Sequence, residues 1–423
     1  MGMTRRQFTR MAGAVALASA APLGFVHGAA RPKVVVIGGG AGGATAARYI
    51  AKDSKGAVDV TLIEPTRMYY TCFFSNLYIG GFRDLASIGH TYGKLASDYG
   101  INVVHDWATG VDRAGKTVSL SSGVSVPYDA LVVSPGIDFK YETLPGYSVE
   151  AAGRMPHAYK AGTQTALLKS QINAMPAGGT FMMVAPPNPY RCPPGPYERV
   201  SMVAHVLKQT NPTAKILIID PKTKFSKGGL FSEGWEKHYP GMVEWIGGDV
   251  HGGIRSVNAA EMSVETDFDT FRGDVVNVIP AQKAGHIAEV AGLTDASGWC
   301  PIVPATMQSR MDPSIYVLGD ATVNGDMPKS GFSANSQAKV CAMAVRHALT
   351  GSKMFPARFR NTCWSLIETN DGVKVGANYE ATDEKIAGTG GFISQTGESA
   401  DLRKKTYEES VGWYQGITTD MFG

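Results

Sequence analysis

The sequence predicts an α/β fold with two Rossmann-like dinucleotide-binding units, and three stretches carry that expectation. Lys33 to Ile37 is a run of strand-favouring residues that enters Gly38-Gly39-Gly40-Ala41-Gly42-Gly43 and then an alanine-rich segment to Ile50. Val58 to Ile63 is a second apolar run, closed by Glu64. Farther along, the strand-like runs Thr180–Ala185, Lys215–Asp220 and Asp274–Ile279 repeat the alternation around a helical stretch from Tyr197 to Gln209. Short β-type runs separated by helix-length segments are the pattern of a parallel sheet.

The first stretch reads as strand, turn and helix. Gly38, Gly40 and Gly43 fill G-x-G-x-x-G: the first permits a tight turn, the second lets backbone approach a pyrophosphate, and the third lets helix and strand pack closely. The N-terminus of the following helix then offers unpaired N–H groups and a positive dipole end to the phosphates. Glu64 stands about 20 residues beyond the last glycine, where a carboxylate accepts hydrogen bonds from a ribose diol and disfavours a 2′-phosphate. The expected ligand contains an ADP moiety.

Before this unit, residues 1–30 read as an export signal. Arg5 and Arg6 precede an apolar run from Met11 to Phe25 that is too short to span a bilayer, and Gly28-Ala29-Ala30 supplies small residues for cleavage. The paired arginines resemble the twin-arginine type, which exports folded proteins; a periplasmic location follows, with the cofactor inserted beforehand. No other segment is long and apolar enough to span a membrane.

At 423 residues and 44% hydrophobic content the chain can form two or three domains with their own cores. A net charge of +3, with basic residues scattered rather than gathered, gives no case for nucleic acid. Five cysteines are present, Cys72, Cys192, Cys300, Cys341 and Cys363, without C-x-x-C or C-x-x-C-H. The chain therefore carries neither a thioredoxin-type pair nor a c-type haem attachment site, and it offers no clustered metal ligands.

Tyr128 to Gly136 and Ile315 to Asp320 read as short buried strands, the second ending Gly319-Asp320. They resemble the two markers of flavoproteins of the FAD/NAD(P)-linked disulfide reductase type, in which such an aspartate holds the ribitol of FAD; Asp320 is the matching residue. Where a second glycine turn would serve a nicotinamide nucleotide, the strand Thr180–Ala185 runs into Pro186-Pro187-Asn188-Pro189-Tyr190-Arg191-Cys192-Pro193-Pro194-Gly195-Pro196. Prolines lack N–H donors, so a phosphate cradle is not expected there.

Three cysteines have distinctive settings. Cys72 lies eight residues past Glu64, within reach of the isoalloxazine end of FAD. Cys192 sits in the proline loop, and Cys363 lies in Asn361-Thr362-Cys363-Trp364. A structural disulfide between any two of them remains an open reading of these residues alone.

Together, Glu64-Pro65 through Tyr69-Tyr70-Thr71-Cys72, Arg191-Cys192-Pro193-Pro194-Gly195-Pro196-Tyr197-Glu198, Met327-Pro328-Lys329-Ser330-Gly331 with Ser333-Ala334-Asn335-Ser336-Gln337, and Asn361-Thr362-Cys363 resemble the flavoprotein subunit of flavocytochrome c sulfide dehydrogenase. The resemblance extends over essentially the whole chain after residue 30. It implies FAD held covalently by Cys72, a redox-active disulfide between Cys192 and Cys363, proton handling by Glu198, and Trp413 between flavin and haem. It also implies a separate c-type cytochrome as partner and acceptor, forming a heterodimer, and sulfide as substrate. Lys329 is expected to stabilise charge at the reduced flavin's N1 side, whereas Cys300 and Cys341 read as buried and structural. The domain plan is 31–150 with 285–350 for FAD, 151–284 for a second Rossmann-like domain without a nicotinamide motif, and 351–423 for a C-terminal interface domain.

Two rival readings use the same residues. A sulfide:quinone oxidoreductase would need a quinone pocket and a membrane-docking C-terminus, against which Glu408, Glu409 and Asp420 in the tail speak. A non-catalytic flavin-bearing sulfur carrier would use the cysteines only to hold persulfide.

Overall fold

The structure is a computed structural model that describes residues 30–423. The expected export signal, apart from Ala30, lies outside the described residues.

Two parallel sheets frame the site. In the first, five strands lie in the order Ile315–Val317, Ala130–Val133, Lys33–Ile37, Asp59–Ile63 and Asn102–Val104, every neighbouring pair parallel. Val34, Val36, Leu62, Leu131, Val132, Val133 and Val317 are fully buried, as strands covered on both faces require. Helices Gly43–Ser54 and Gly331–Thr350 pack against each other over this sheet. Ser330 caps the second of them, its Oγ accepting from Ser333 N at 3.0 Å, and Gly351 ends it at φ 68°.

The second sheet has the order Val243–Gly247, Lys215–Asp220, Thr180–Val184 and Val275–Val278, again wholly parallel. Helix Gly195–Thr210 starts directly after the proline loop with proline in its first turn, where a missing N–H costs nothing. Its Tyr197, Arg199, Val200, Met202, Val203 and Ala204 are buried.

An antiparallel sheet, Arg358–Glu368, Asp371–Ala381 and Ile386–Ile393, follows. Helix Ala400–Phe422 closes the chain, packs on that sheet, and reaches back to the first unit. There Asp420 accepts from Tyr49 Oη at 2.9 Å and Lys339 Nζ at 2.5 Å.

The strand expected from Ile315 to Asp320 stops at Val317, and Gly319–Ala321 forms a 3₁₀ turn instead. Gly319 has φ +79°, which breaks the extended backbone and turns Asp320 toward the space beyond the sheet. Among the described residues, no helix is long and apolar enough to cross a membrane and no cluster of metal-binding side chains occurs.

Candidate functional site

Two adjoining cavities lie beyond the carboxyl ends of the first sheet's strands, where open α/β sheets bind their ligands. The larger, of about 580 Å³, runs from the glycine turn past Glu64, Tyr69 and Cys72 to Asp320. The smaller, of about 90 Å³, is walled by Cys72, Cys192, Cys363, Glu198 and a group of aromatic rings. Cys72, Arg191 and Gly331 line both, so they form the partition.

At the far end of the larger cavity the glycines are required sterically. A Cβ on Gly38, whose φ is +97°, would stand 2.3 Å from Ser134 O, and one on Gly43 would stand 1.8 Å from Gly38 O. Helix Gly43–Ser54 has no side-chain cap at its N-terminus, and its positive dipole end faces the glycine turn that lines this cavity. Glu64 Oε2 accepts from Gly39 N at 2.8 Å, and Oε1 accepts from Thr66 N at 3.0 Å and Thr66 Oγ1 at 2.6 Å. The carboxylate is thus locked at the cavity wall.

At the other end, Asp320 is 8% exposed and its Oδ1 is buried without a hydrogen-bond partner. Burial raises its carboxyl, a tendency opposed by Arg191, whose Nη1 is 3.8 Å from Oδ2. A buried carboxylate oxygen facing a cavity calls for a donor from the ligand. The hydroxyls of a ribityl chain supply such donors, while the glycine end suits an ADP moiety, so the residues present fit FAD.

In the smaller cavity, Cys192 has φ 56°, in the left-handed region that a non-glycine residue occupies at a cost of about 1–2 kcal/mol. Three bonds hold it there: its N–H donates to Lys329 O at 2.8 Å, and its carbonyl accepts from Gly195 N at 2.8 Å and Tyr159 Oη at 3.2 Å. Cys363 stands on the strand Arg358–Glu368, with Asn361 Nδ2 3.4 Å from its sulfur. Asn361 is itself oriented by Ser330, whose Oγ donates to Asn361 Oδ1 at 2.6 Å.

The expected Cys192–Cys363 disulfide is not formed: all five cysteines are free thiols, which also leaves the open reading of a structural bond unformed. Burial is the largest influence on both side chains and pushes both thiols up; Cys363, Glu198 and Cys72 push Cys192 further, whereas Asn361, Lys227 and Ser330 oppose the rise at Cys363. This favours the protonated dithiol over a thiolate.

Glu198 lies in the first turn of helix Gly195–Thr210. Its Oε1 accepts from Leu366 N at 3.0 Å and Oε2 from Asn76 Nδ2 at 2.8 Å. Burial raises its carboxyl, outweighing those bonds and the charges of Lys227 and Arg199. The folded protein therefore holds this proton more tightly than the unfolded chain, and stability falls as pH rises from the ordinary glutamate value of 4.5 through the raised one. Glu198→Gln should flatten that decline; urea unfolding between pH 4 and 8 measures it, and an unchanged slope would show that Glu198 does not titrate in this window.

Lys329 does not take the expected place. Its ammonium points away from both cavities, donating to Asp320 O at 2.9 Å and Thr322 O at 2.6 Å, and it lies 3.6 Å from the ring centre of Trp299. Two carbonyls and an aromatic face satisfy it better than an open wall would, and burial depresses it to about 8. It touches the site through its backbone carbonyl, which anchors Cys192.

Trp413 lines the smaller cavity, its ring 5.3 Å from Trp364, 5.5 Å from Phe73 and 5.8 Å from Phe332. Cys300 and Cys341 are fully buried, away from either cavity.

Two cations of the site were not identified from the sequence. Arg199, 2% exposed, donates to Asn76 Oδ1 at 3.1 Å, His157 O at 2.9 Å, Asn277 Oδ1 at 3.0 Å and Ala158 O at 2.6 Å. A charge among the apolar residues of the helical stretch was the available signal. Lys227 donates to Ser365 Oγ at 2.7 Å and to Cys363 O at 3.2 Å, and burial depresses it to about 8. Nothing local distinguishes it from a surface lysine.

Comparisons with known proteins agree with this layout. Family models match the chain for pyridine nucleotide-disulphide oxidoreductase over residues 32–171, for the central part of the sulfide dehydrogenase (flavocytochrome c) flavoprotein chain over 165–280, and for flavocytochrome c sulphide dehydrogenase, flavin-binding, over 356–422. A sulfide dehydrogenase (flavocytochrome c) flavoprotein chain of Chlorobaculum thiosulfatiphilum is 50% identical over 44 residues, 10% of this chain and 90% of that one. The mitochondrial sulfide:quinone oxidoreductase of Mus musculus is 23% identical over 321 residues, 71% of this chain and 67% of that one. Among solved structures, the sulfide:quinone oxidoreductase of Aquifex aeolicus superposes with a TM-score of 0.71 at 16% identity, covering 92% of both chains. A NAD-dependent persulfide reductase from A. fulgidus gives 0.62 at 17% identity over 89% of this chain and 77% of that one. The fold is that of FAD- and NAD(P)-dependent oxidoreductases with a β-rich C-terminal part.

Proposed function

Because this chain belongs to the flavoprotein chains of flavocytochrome c sulfide dehydrogenase, a family of sulfide-oxidising flavoproteins that bind FAD, we propose that it oxidises sulfide at a Cys192–Cys363 disulfide and passes the electrons to a c-type cytochrome. The observation that carries this reading is the partition: two cysteines and a carboxylate wall a small cavity that shares Cys72 with the cavity fitted to FAD. Sulfur chemistry and flavin are thereby brought side by side.

HS⁻ attacks one sulfur of the disulfide, giving a persulfide on that cysteine and a thiolate on the other. A second HS⁻ takes the outer sulfur as HSS⁻, leaving one thiol and one thiolate. Bound FAD supplies the two-electron acceptor that restores the disulfide. One proton is released in that last step, and Glu198, raised by burial and opening into the same cavity, is placed to receive it. Across the cycle two HS⁻ become one HSS⁻, one proton and two electrons. Arg191 and Arg199 both line this cavity beside the carboxylate of Glu198, an excess of positive charge that favours entry of a small anion.

The acceptor is tested directly. Sulfide-reduced protein should transfer electrons to a c-type cytochrome within the turnover time and only slowly to a soluble quinone. Preferential quinone reduction would favour the rival reading, which the likeness to the mouse enzyme keeps in view.

Covalent attachment of FAD at Cys72 is part of the proposal, supported by the placement of Cys72 in the partition. Acid-precipitated protein should stay yellow and gain the mass of FAD, while Cys72→Ser should release all its flavin on precipitation. Complete release from the unaltered protein would exclude the linkage.

We further propose periplasmic export by the twin-arginine route and a heterodimer with the cytochrome through the face near Trp413. If the complex is permanent it should bury on the order of 1,600 Å² or more. Replacing Arg5 and Arg6 by lysine should retain the protein in the cytoplasm, and fractionation showing undiminished export would argue against that route.

A further inference from the structure

The second sheet repeats the opening geometry of the first, with a strand running into a loop and helix beside a parallel strand that ends in an acid. The two acids have different surroundings. Glu64 lines the FAD cavity. Asp220 is fully buried and accepts from Tyr197 Oη at 2.5 Å, Trp245 Nε1 at 3.1 Å, Lys222 N at 3.0 Å and Lys222 Nζ at 2.6 Å. A carboxylate offers about four acceptor sites, so this chain's own donors fill them and a ribose diol finds none.

The donors that fill Asp220 lead to Cys192. Lys222 Nζ also donates to Pro186 O at 2.7 Å and lies 5.1 Å from the ring centre of Tyr190. Tyr190 Oη donates to Pro193 O at 2.8 Å, and Tyr197 stands in the first turn of the helix that follows. These ties grip residues 186–197 before, beside and after Cys192. The loop needs them: Pro186, Pro187, Pro189, Pro193 and Pro194 have no N–H, so its own backbone offers few of the donors its carbonyls require.

We propose that Asp220 and Lys222, standing where a second dinucleotide site would hold its ribose, are positioning residues that aim the Cys192 loop at Cys363. The proposal rests on the reading of Cys192 and Cys363 as the sulfide-oxidising pair. Holding one thiol rigidly opposite the other raises their effective concentration, which favours the closed disulfide.

The test uses the full-length holoprotein in glutathione redox buffers, with alkylation and mass analysis of Cys192 and Cys363. Lys222→Met should lower the equilibrium constant for closing the pair about tenfold, equal to about 30 mV for a two-electron couple, and slow sulfide-driven flavin reduction by a similar factor. Asp220→Asn, which keeps the side chain's shape and removes the ion pair with Lys222, should shift the constant in the same direction and decides the matter if Lys222→Met does not fold. Lys222→Arg should restore the closing constant, and dithionite should bleach the flavin equally in every variant. A lowered melting temperature with an unshifted constant in Asp220→Asn and in any folded Lys222→Met would overturn the positioning role. Cys192→Ser separates the two levels: if that variant is still reduced by sulfide the redox reading itself fails, whereas its inactivity beside unshifted positioning variants sinks only this inference.

Discussion

Serine at Cys192 or at Cys363 should abolish reduction of the flavin by sulfide, a loss of about a thousandfold or more, the scale on which removal of a covalent nucleophile acts. Each substitution removes the sulfur of one of the two cysteines that line the smaller cavity together with Cys72. Serine is isosteric enough to leave Gly195 N and Tyr159 Oη bound to the residue 192 carbonyl, so the loop should persist. Dithionite needs no disulfide and should bleach both variants at the normal rate. A purely structural pair would behave in the opposite way, with lowered thermal stability and sulfide-driven reduction largely intact. Stopped-flow absorbance of the flavin band distinguishes these outcomes, and near-normal rates in both serine variants would sink the mechanism.

The second large effect is expected at Arg199. Its guanidinium donates to two backbone carbonyls and two side-chain amides in the interior. Arg199→Met fills comparable volume but strands those acceptors, and breaking such a buried charged network costs about 3–5 kcal/mol. Against a typical stability of about 5–15 kcal/mol, that is enough to unfold a marginal protein. The change also removes a positive charge near Glu198, so the Glu198 carboxyl should rise further. Urea unfolding should show the loss in midpoint. A shift of under 1 kcal/mol would mean that the interior relaxes to satisfy Asn76 and Asn277 in another way.

The parts of this architecture governed by local backbone rules were legible in the residues. Gly38 and Gly43 leave no alternative to a turn against the sheet, and the strand-to-acid spacing places Glu64 at the cavity wall. The proline loop is legible in the same way, since residues without an N–H impose an extended run that leads directly into helix Gly195–Thr210. Lys329 shows where this kind of reading stops. Its neighbours Ser330 and Gly331 line the site, yet the direction of a four-carbon side chain is decided by Asp320 O, Thr322 O and Trp299, partners that are assembled only by the fold. Lys227 was missed for the same reason, since its partners Cys363 and Ser365 lie well over a hundred residues away. The unformed bond between Cys192 and Cys363 is a matter of oxidation state, which a string of residues does not encode.

The two cavities also differ in how they must come into being. The glycine turn, its helix and Glu64 lie within a short span of chain, so the nucleotide end can take shape from nearby residues soon after collapse. The smaller cavity gathers Cys72, Cys192, Cys363 and Trp413 from widely spaced segments, and each such contact carries the loop-closure entropy of a long intervening stretch. Folding is therefore expected to build a dinucleotide-competent intermediate first and to close the sulfur chamber last, when helix Ala400–Phe422 docks through Asp420 onto Tyr49 and Lys339. FAD would then meet a half-open vestibule in which its adenosine end is already gripped while Cys192 and Cys363 have yet to come together.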